Sequence, residues 1–201
     1  GAEIVLTDPQ FGMKGAVEKA NEIAKNTPNS FIPMQFDNPS NPKSHYLYTG
    51  KEIYTDLKGK VDIFVAGIGT GGTISGVGKF LKEKNKDVKI IGVEPSGSPL
   101  LTHGVAGKHK IEGIGANFVP SILDKSVLNE VFDITDQEAV DNARLVAKIE
   151  GIFVGISSGA ALAAAIKLAQ RTENKGKNIV VLFPDGGLKY LSTILVEQPQ
   201  Q

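Results

Sequence analysis

Cysteine is absent from all 201 residues. That excludes a disulfide framework, a thiolate-bound zinc and a thiol nucleophile. Only three histidines occur, His45, His103 and His109, and they are scattered, so a histidine-rich metal site is not expected. Charge of one sign is also missing: 22 Lys and Arg balance 22 Asp and Glu. No overall attraction to nucleic acid or anionic membrane follows from such a balance. No apolar run approaches the roughly 20 residues that span a bilayer. Gly1-Ala2-Glu3 does not read as a secretory leader, and with no cysteine a cytoplasmic location is the expectation. Hydrophobic residues at 41% and charged residues at 22% are ordinary globular usage. The length suits one large domain or one and a half small ones. What stands out is glycine, 23 residues in clusters.

Read in order, the chain alternates between two periods. Residues 3–7 and 31–36 are apolar runs that predict strands. Met13, Ala16, Val17, Ala20, Ile23 and Ala24 share one helical face, and Pro28 follows its end. Gln35-Phe36-Asp37-Asn38-Pro39-Ser40-Asn41-Pro42 is turn-rich, with a helix expected from about 43 to 56. A strand at 61–66, a glycine loop at 67–73, a helix carrying Ile74, Val77, Phe80 and Leu81 inward, and a strand at 88–93 make one βαβ unit. The stretch 95–130 reads as irregular. A helix at 136–150, a short strand at 152–155, an alanine-rich helix to about 171 and a buried strand at 178–183 complete the pattern. The fold class is therefore α/β, a mainly parallel sheet with helices on both faces. Ligands in such sheets bind beyond the carboxyl ends of the strands, where three glycine- or hydroxyl-rich loops are expected to gather.

The first loop, Gly67-Ile68-Gly69-Thr70-Gly71-Gly72-Thr73, leaves a strand and enters a helix. Backbone N–H groups freed by glycine, two hydroxyls and a helix N-terminus together suit one phosphate group. Gly67, Gly69 and Gly72 also fit Gly-x-Gly-x-x-Gly, with Glu94 where a dinucleotide fold places its ribose-binding acid. A nicotinamide oxidoreductase is thus an alternative, although no acid/base set for hydride transfer is visible. Gly155-Ile156-Ser157-Ser158-Gly159 approaches a nucleophile elbow, but all three histidines lie upstream, against a serine hydrolase. Phe183-Pro184-Asp185-Gly186-Gly187 and Gly113-Ile114-Gly115-Ala116-Asn117 are two further glycine segments. His45 and His109 read as ordinary solvated or hydrogen-bonded histidines.

As a set, these segments resemble the cysteine synthase (O-acetylserine sulfhydrylase) family of fold-type II pyridoxal-phosphate enzymes. The resemblance is carried by residues 1–7, Met34 to Pro42, Gly67 to Thr73, His109 to Gly115, Gly155 to Gly159, Pro184-Asp185 and Tyr190 to Thr193. It implies a tryptophan synthase β-like architecture and pyridoxal 5'-phosphate as cofactor. Gly69, Thr70, Gly71, Gly72 and Thr73 are implied to hold its phosphate, Ser157 to meet its pyridine nitrogen and Pro184 to flank the ring. Gln35 is implied to bind the substrate carboxylate, and Gly113, Ile114 and Gly115 to line the pocket near the substrate amino group. The implied reaction is β-replacement, O-acetyl-L-serine plus sulfide to L-cysteine plus acetate. The family also implies a homodimer that accepts the C-terminal tail of serine acetyltransferase.

Departures from the family are as informative. Its Ser-x-Lys-Asp-Arg segment, which carries the Schiff-base lysine, is absent, as is its Thr-Ser-Gly-Asn-Thr carboxylate loop. The chain is similar to the C-terminal two-thirds of such an enzyme. Residues 1–33 are expected to be the remnant of the small domain and 34–201 the large cofactor-binding domain. No catalytic residue is assigned, and the chain alone is expected to be inactive without a companion N-terminal fragment. Weak or no binding of the acetyltransferase tail is expected. Gly187-Leu188-Lys189 stands where the family usually has Gly-Glu-Arg, and Asn117 replaces a frequent glycine. Alternatives are a related cysteine or serine β-lyase or β-synthase releasing sulfide, and a truncated domain that only binds partners.

Overall fold

A computed structural model describes residues 1–196. Four strands form one wholly parallel sheet: β1 (Ile63–Gly67), β2 (Lys89–Pro95), β3 (Glu130–Ile134) and β4 (Ile179–Val181), in spatial order β3-β2-β1-β4. Ile63 stands opposite Lys89 on one side and Ile179 on the other. The side-chain period of two sorts β1 between two cores. Ile63 and Val65 face the side covered by α5 (Asp136–Glu150) and α6 (Ile156–Ala169). Phe64 and Ala66 face the side covered by α4 (Gly72–Lys84). Burial of each such large side chain contributes roughly 1.5–3 kcal/mol. Helices on both faces of a parallel sheet are the architecture expected from the sequence.

Local chemistry sets the helix limits. Thr135 accepts from the Glu138 N–H at 3.1 Å, and the Glu138 carboxylate accepts from the Thr135 N–H at 2.9 Å. This reciprocal cap starts α5, and Gly151, left-handed at φ 69°, ends it. Helix α6 is buried around nearly its whole circumference, because it lies between the sheet and α5. Its alanines permit that close approach.

Several expected elements differ. Residues 3–7 and 31–36 form no strand, and Ile4 and Leu6 are exposed. A strand needs a neighbour for its N–H and C=O groups, and among the described residues no strand or bridge pairs with these runs. The helical face at 13–24 does form α1 (Gly12–Asn26), yet none of its residues is buried. The helix expected from 43 begins earlier, as α2 (Ser40–Ser44), and runs through a π-helical turn at His45–Thr49 into α3 (Gly50–Asp56). Residues 152–155 reduce to a single antiparallel bridge, Val154 with Gly186. Strand β4 is three residues of an outer strand, half-buried where a buried strand of 178–183 is expected. Strand β3 is an addition, lying just past the irregular stretch.

Candidate functional site

The carboxyl ends of β1, β2 and β4 open on one edge, and the glycine segments meet there. Beyond β1, Ile68 is pinned twice: its N–H donates to Val93 O at 2.8 Å, and its carbonyl accepts from the Gly115 N–H at 3.0 Å. Gly69 lies directly against the Gly113 carbonyl, where a Cβ would collide. Two glycine segments far apart in sequence thus close on each other. Gly71, at φ 81°, takes the left-handed conformation that caps α4. The first N–H groups of α4 have no partner within the helix and point, with its positive end, at the loop.

Helix residues 41 and 45, one turn apart, brace the loop from behind. Asn41 Nδ2 donates to Thr70 Oγ1 at 3.0 Å. The Gly72 N–H also donates to Thr70 Oγ1, at 3.2 Å. Thr73 Oγ1 lies 3.2 Å from His45 Nε2, and His45 Nδ1 lies 3.0 Å from Thr49 Oγ1. Burial lowers the pKa of His45, which favours the neutral ring. The neutral ring donates from one nitrogen and accepts at the other, so His45 ties the Thr73 hydroxyl to the Thr49 hydroxyl. The π-helical turn supplies His45, so the sequence reading of this histidine as hydrogen-bonded holds, while its position under the loop was not visible.

A cleft of about 400 Å³ opens beside the loop. Gln35, Gly69, Thr70, Gly113, Ile114 and Gly115 all line it, joined by His109 and Asn117. His109 Nε2 lies 2.9 Å from Gly115 O, an acceptor, so Nε2 carries the proton. Its Nδ1 is buried without a partner among the described residues. No Asp, Glu or Lys among the described residues lines the cleft. Its polar groups are neutral donors and a helix end, which suits an anionic group. No cluster of metal-binding side chains occurs among the described residues.

Ser157 and Pro184 do not line this cleft and sit farther along the same edge. Pro184 follows β4, the neighbour of β1, and Ser157 is in the first turn of α6. Gly155 N–H donates to Asp185 O at 3.0 Å, joining the two segments. Ser157 is buried, and its hydroxyl makes no hydrogen bond among the described residues. Glu94, by contrast, is fully engaged. Its carboxylate accepts from the Leu101 N–H at 2.8 Å, the Thr102 N–H at 2.8 Å and the Thr102 hydroxyl at 2.6 Å. Only 3% exposed, it closes the 98–104 turn and offers nothing to a ribose.

The family described as pyridoxal-phosphate dependent enzyme matches residues 1–185. The chain is 54% identical over 195 residues to cysteine synthase B of Campylobacter jejuni, covering 97% of this chain and 64% of that protein. Among solved structures it is similar to cysteine synthase from Entamoeba histolytica, with TM-score 0.94 and 45% identity, covering 100% of this chain and 59% of that one. It is also similar to a hydrogen sulfide-producing enzyme from Fusobacterium nucleatum, with TM-score 0.91 and 44% identity, covering 94% and 64%. The chain thus spans less than two-thirds of the length of these relatives.

Proposed function

The chain belongs to the pyridoxal-phosphate dependent enzymes, and from that premise we propose that it is the cofactor-holding part of a β-replacement enzyme converting O-acetyl-L-serine and sulfide to L-cysteine and acetate. The observation that carries this reading is the cleft lined by both Gln35 and Thr70, with no carboxylate among the described residues that line it. It suits two anionic groups side by side, a phosphate in the loop and an amino-acid carboxylate at Gln35. The fit to the cofactor rests on the loop itself. Gly69 to Thr73 lie at the N-terminus of α4 and offer backbone N–H groups and two braced hydroxyls for a phosphate. The Ser157 hydroxyl, without a hydrogen bond among the described residues, suits a ring nitrogen, and exposed Pro184 suits the edge of a planar ring.

When bound, the cofactor supplies the electron sink that acidifies the substrate α-proton and lets acetate leave. In this reading Gly69, Thr70, Gly71, Gly72 and Thr73 hold the phosphate. Ser157 meets the ring nitrogen as a neutral hydroxyl and leaves it unprotonated. Gln35 orients the substrate carboxylate, and the 113–115 segment borders its amino group. No lysine among the described residues lines the cleft, so the lysine that bonds the cofactor and moves the α-proton is assigned to another polypeptide segment. The 201 residues alone are then inactive. Residues 1–33 are assigned to a small domain and 34–201 to the large one. A cytoplasmic homodimer, with little affinity for an acetyltransferase tail while the cleft is incomplete, completes the reading. No helix among the described residues is long and apolar enough to cross a membrane. Release of sulfide from cysteine is the second reading, prompted by the likeness to the Fusobacterium enzyme.

The test is pyridoxal 5'-phosphate titration followed by borohydride trapping and peptide mass spectrometry. Binding without an adduct on any lysine of this chain, and no cysteine production until a companion fragment is added, is the expected result. An adduct on a lysine within residues 1–201, or no binding, rejects the assignment.

A further inference from the structure

The carboxylate arm at Gln35 and the anion loop at Thr70 are joined by one side chain. Asn41 Nδ2 donates to the Gln35 carbonyl at 2.9 Å and to Thr70 Oγ1 at 3.0 Å, spending both of its N–H bonds. A carbonyl only accepts, so the amide nitrogen must face Gln35. The amide oxygen then lies over Gly72, in the space a Cβ would occupy. Thr70 has two lone pairs and one proton. Asn41 and the Gly72 N–H take the lone pairs, leaving the proton for a ligand. Next to Gln35, Met34 sits at φ 56°, a left-handed conformation that a non-glycine residue keeps only with outside support. Among the described residues, no other side chain hydrogen-bonds both the 33–38 arm and the 68–73 loop.

Resting on the function proposed above, we propose that Asn41 is a positioning residue that makes the two anion sites one unit: it fixes the backbone of Gln35 and turns the Thr70 proton outward, so that filling the loop orders the arm that receives the substrate carboxylate. Cofactor binding then prepares substrate binding through a hydrogen bond that touches neither ligand.

Amide hydrogen exchange with and without pyridoxal 5'-phosphate tests the link in the wild-type chain, Asn41→Ala and Asn41→Asp. In the wild type the ligand slows exchange about tenfold at 68–73 and also at 34–38. In Asn41→Ala, protection stays at 68–73 and disappears at 34–38. Asn41→Asp keeps the shape but cannot donate, draws the Thr70 proton toward itself and adds charge beside the loop. It therefore binds the cofactor about tenfold more weakly than Asn41→Ala. A role in folding alone would give the isosteric variant the better affinity. Unchanged protection at 34–38 in Asn41→Ala, or tighter binding by Asn41→Asp than by Asn41→Ala, overturns the inference and leaves the proposed function standing. No protection at 68–73 in the wild type removes the proposed function, and the link with it.

Discussion

Tyr190 donates its phenolic proton to Asp185 Oδ2 at 2.7 Å, while Asp185 Oδ1 is buried with no partner among the described residues. The pair folds the 185–190 turn back over Gly155, two residues before Ser157. Burial first, and the Asp185 carboxylate second, push the Tyr190 pKa well above its ordinary 10.0. The folded chain keeps this proton where the unfolded chain releases it. Its stabilising effect is complete below about pH 10 and is lost as pH rises further. Urea unfolding should show Tyr190→Phe about 2 kcal/mol less stable at pH 8 and less sensitive to pH above 10 than the wild type. Parallel pH curves would place the effect elsewhere.

Ser157→Ala should leave the urea midpoint almost unchanged, because the hydroxyl makes no hydrogen bond among the described residues. The emission spectrum of bound pyridoxal 5'-phosphate should change. An unchanged spectrum would show that the ring nitrogen lies elsewhere.

Gly69→Ala drives a Cβ into the Gly113 carbonyl. Two backbone segments must separate, at a cost of roughly 1–3 kcal/mol. Cofactor affinity, followed by fluorescence titration, should fall at least about tenfold, since the loop and the cleft wall move together. Retained affinity would count against a phosphate at this loop.

Glu94→Gln replaces one acceptor oxygen with a donor inside a ring of three donors. A thermal melt should register a loss of roughly 1–3 kcal/mol. Neither variant nor wild type should bind NAD or NADP at millimolar concentration. Binding would revive the dinucleotide reading.

Elements that carry their own local reasons were legible in the sequence. Helix α5 matches residue for residue, because its face spacing is reinforced by the cap at Thr135 and Glu138 and by Gly151. The loop at 67–73 was legible because its composition has few other uses. Runs 3–7 and 31–36 misled, since β-branched and aromatic residues mark a strand only where a neighbour exists. Strand β3 escaped notice because its five residues sit between an irregular stretch and a helix cap. Asn41 and His45 were beyond reach for another reason. Asn-Pro-Ser-Asn-Pro reads as turn, and proline is tolerated in a first helical turn, so the true helix start was hidden. Without that start, their spacing of one turn carried no meaning.

The pairing of Ile63 with Ile179 has a bearing on how the molecule is made. Strand β1 lies inside the sheet, yet one of its neighbours is synthesised 116 residues later, as the Asp62–Asn178 contact beside it measures. Until that stretch leaves the ribosome, one edge of β1 has unpaired backbone groups, a surface on which other chains can add. Contacts of this range also slow folding. The loop at 69–73 can take shape early against β2, but the Ser157 and Pro184 end of the same edge must wait. The order of synthesis therefore separates the two ends of this edge, the 69–73 loop first and the Ser157 and Pro184 end last.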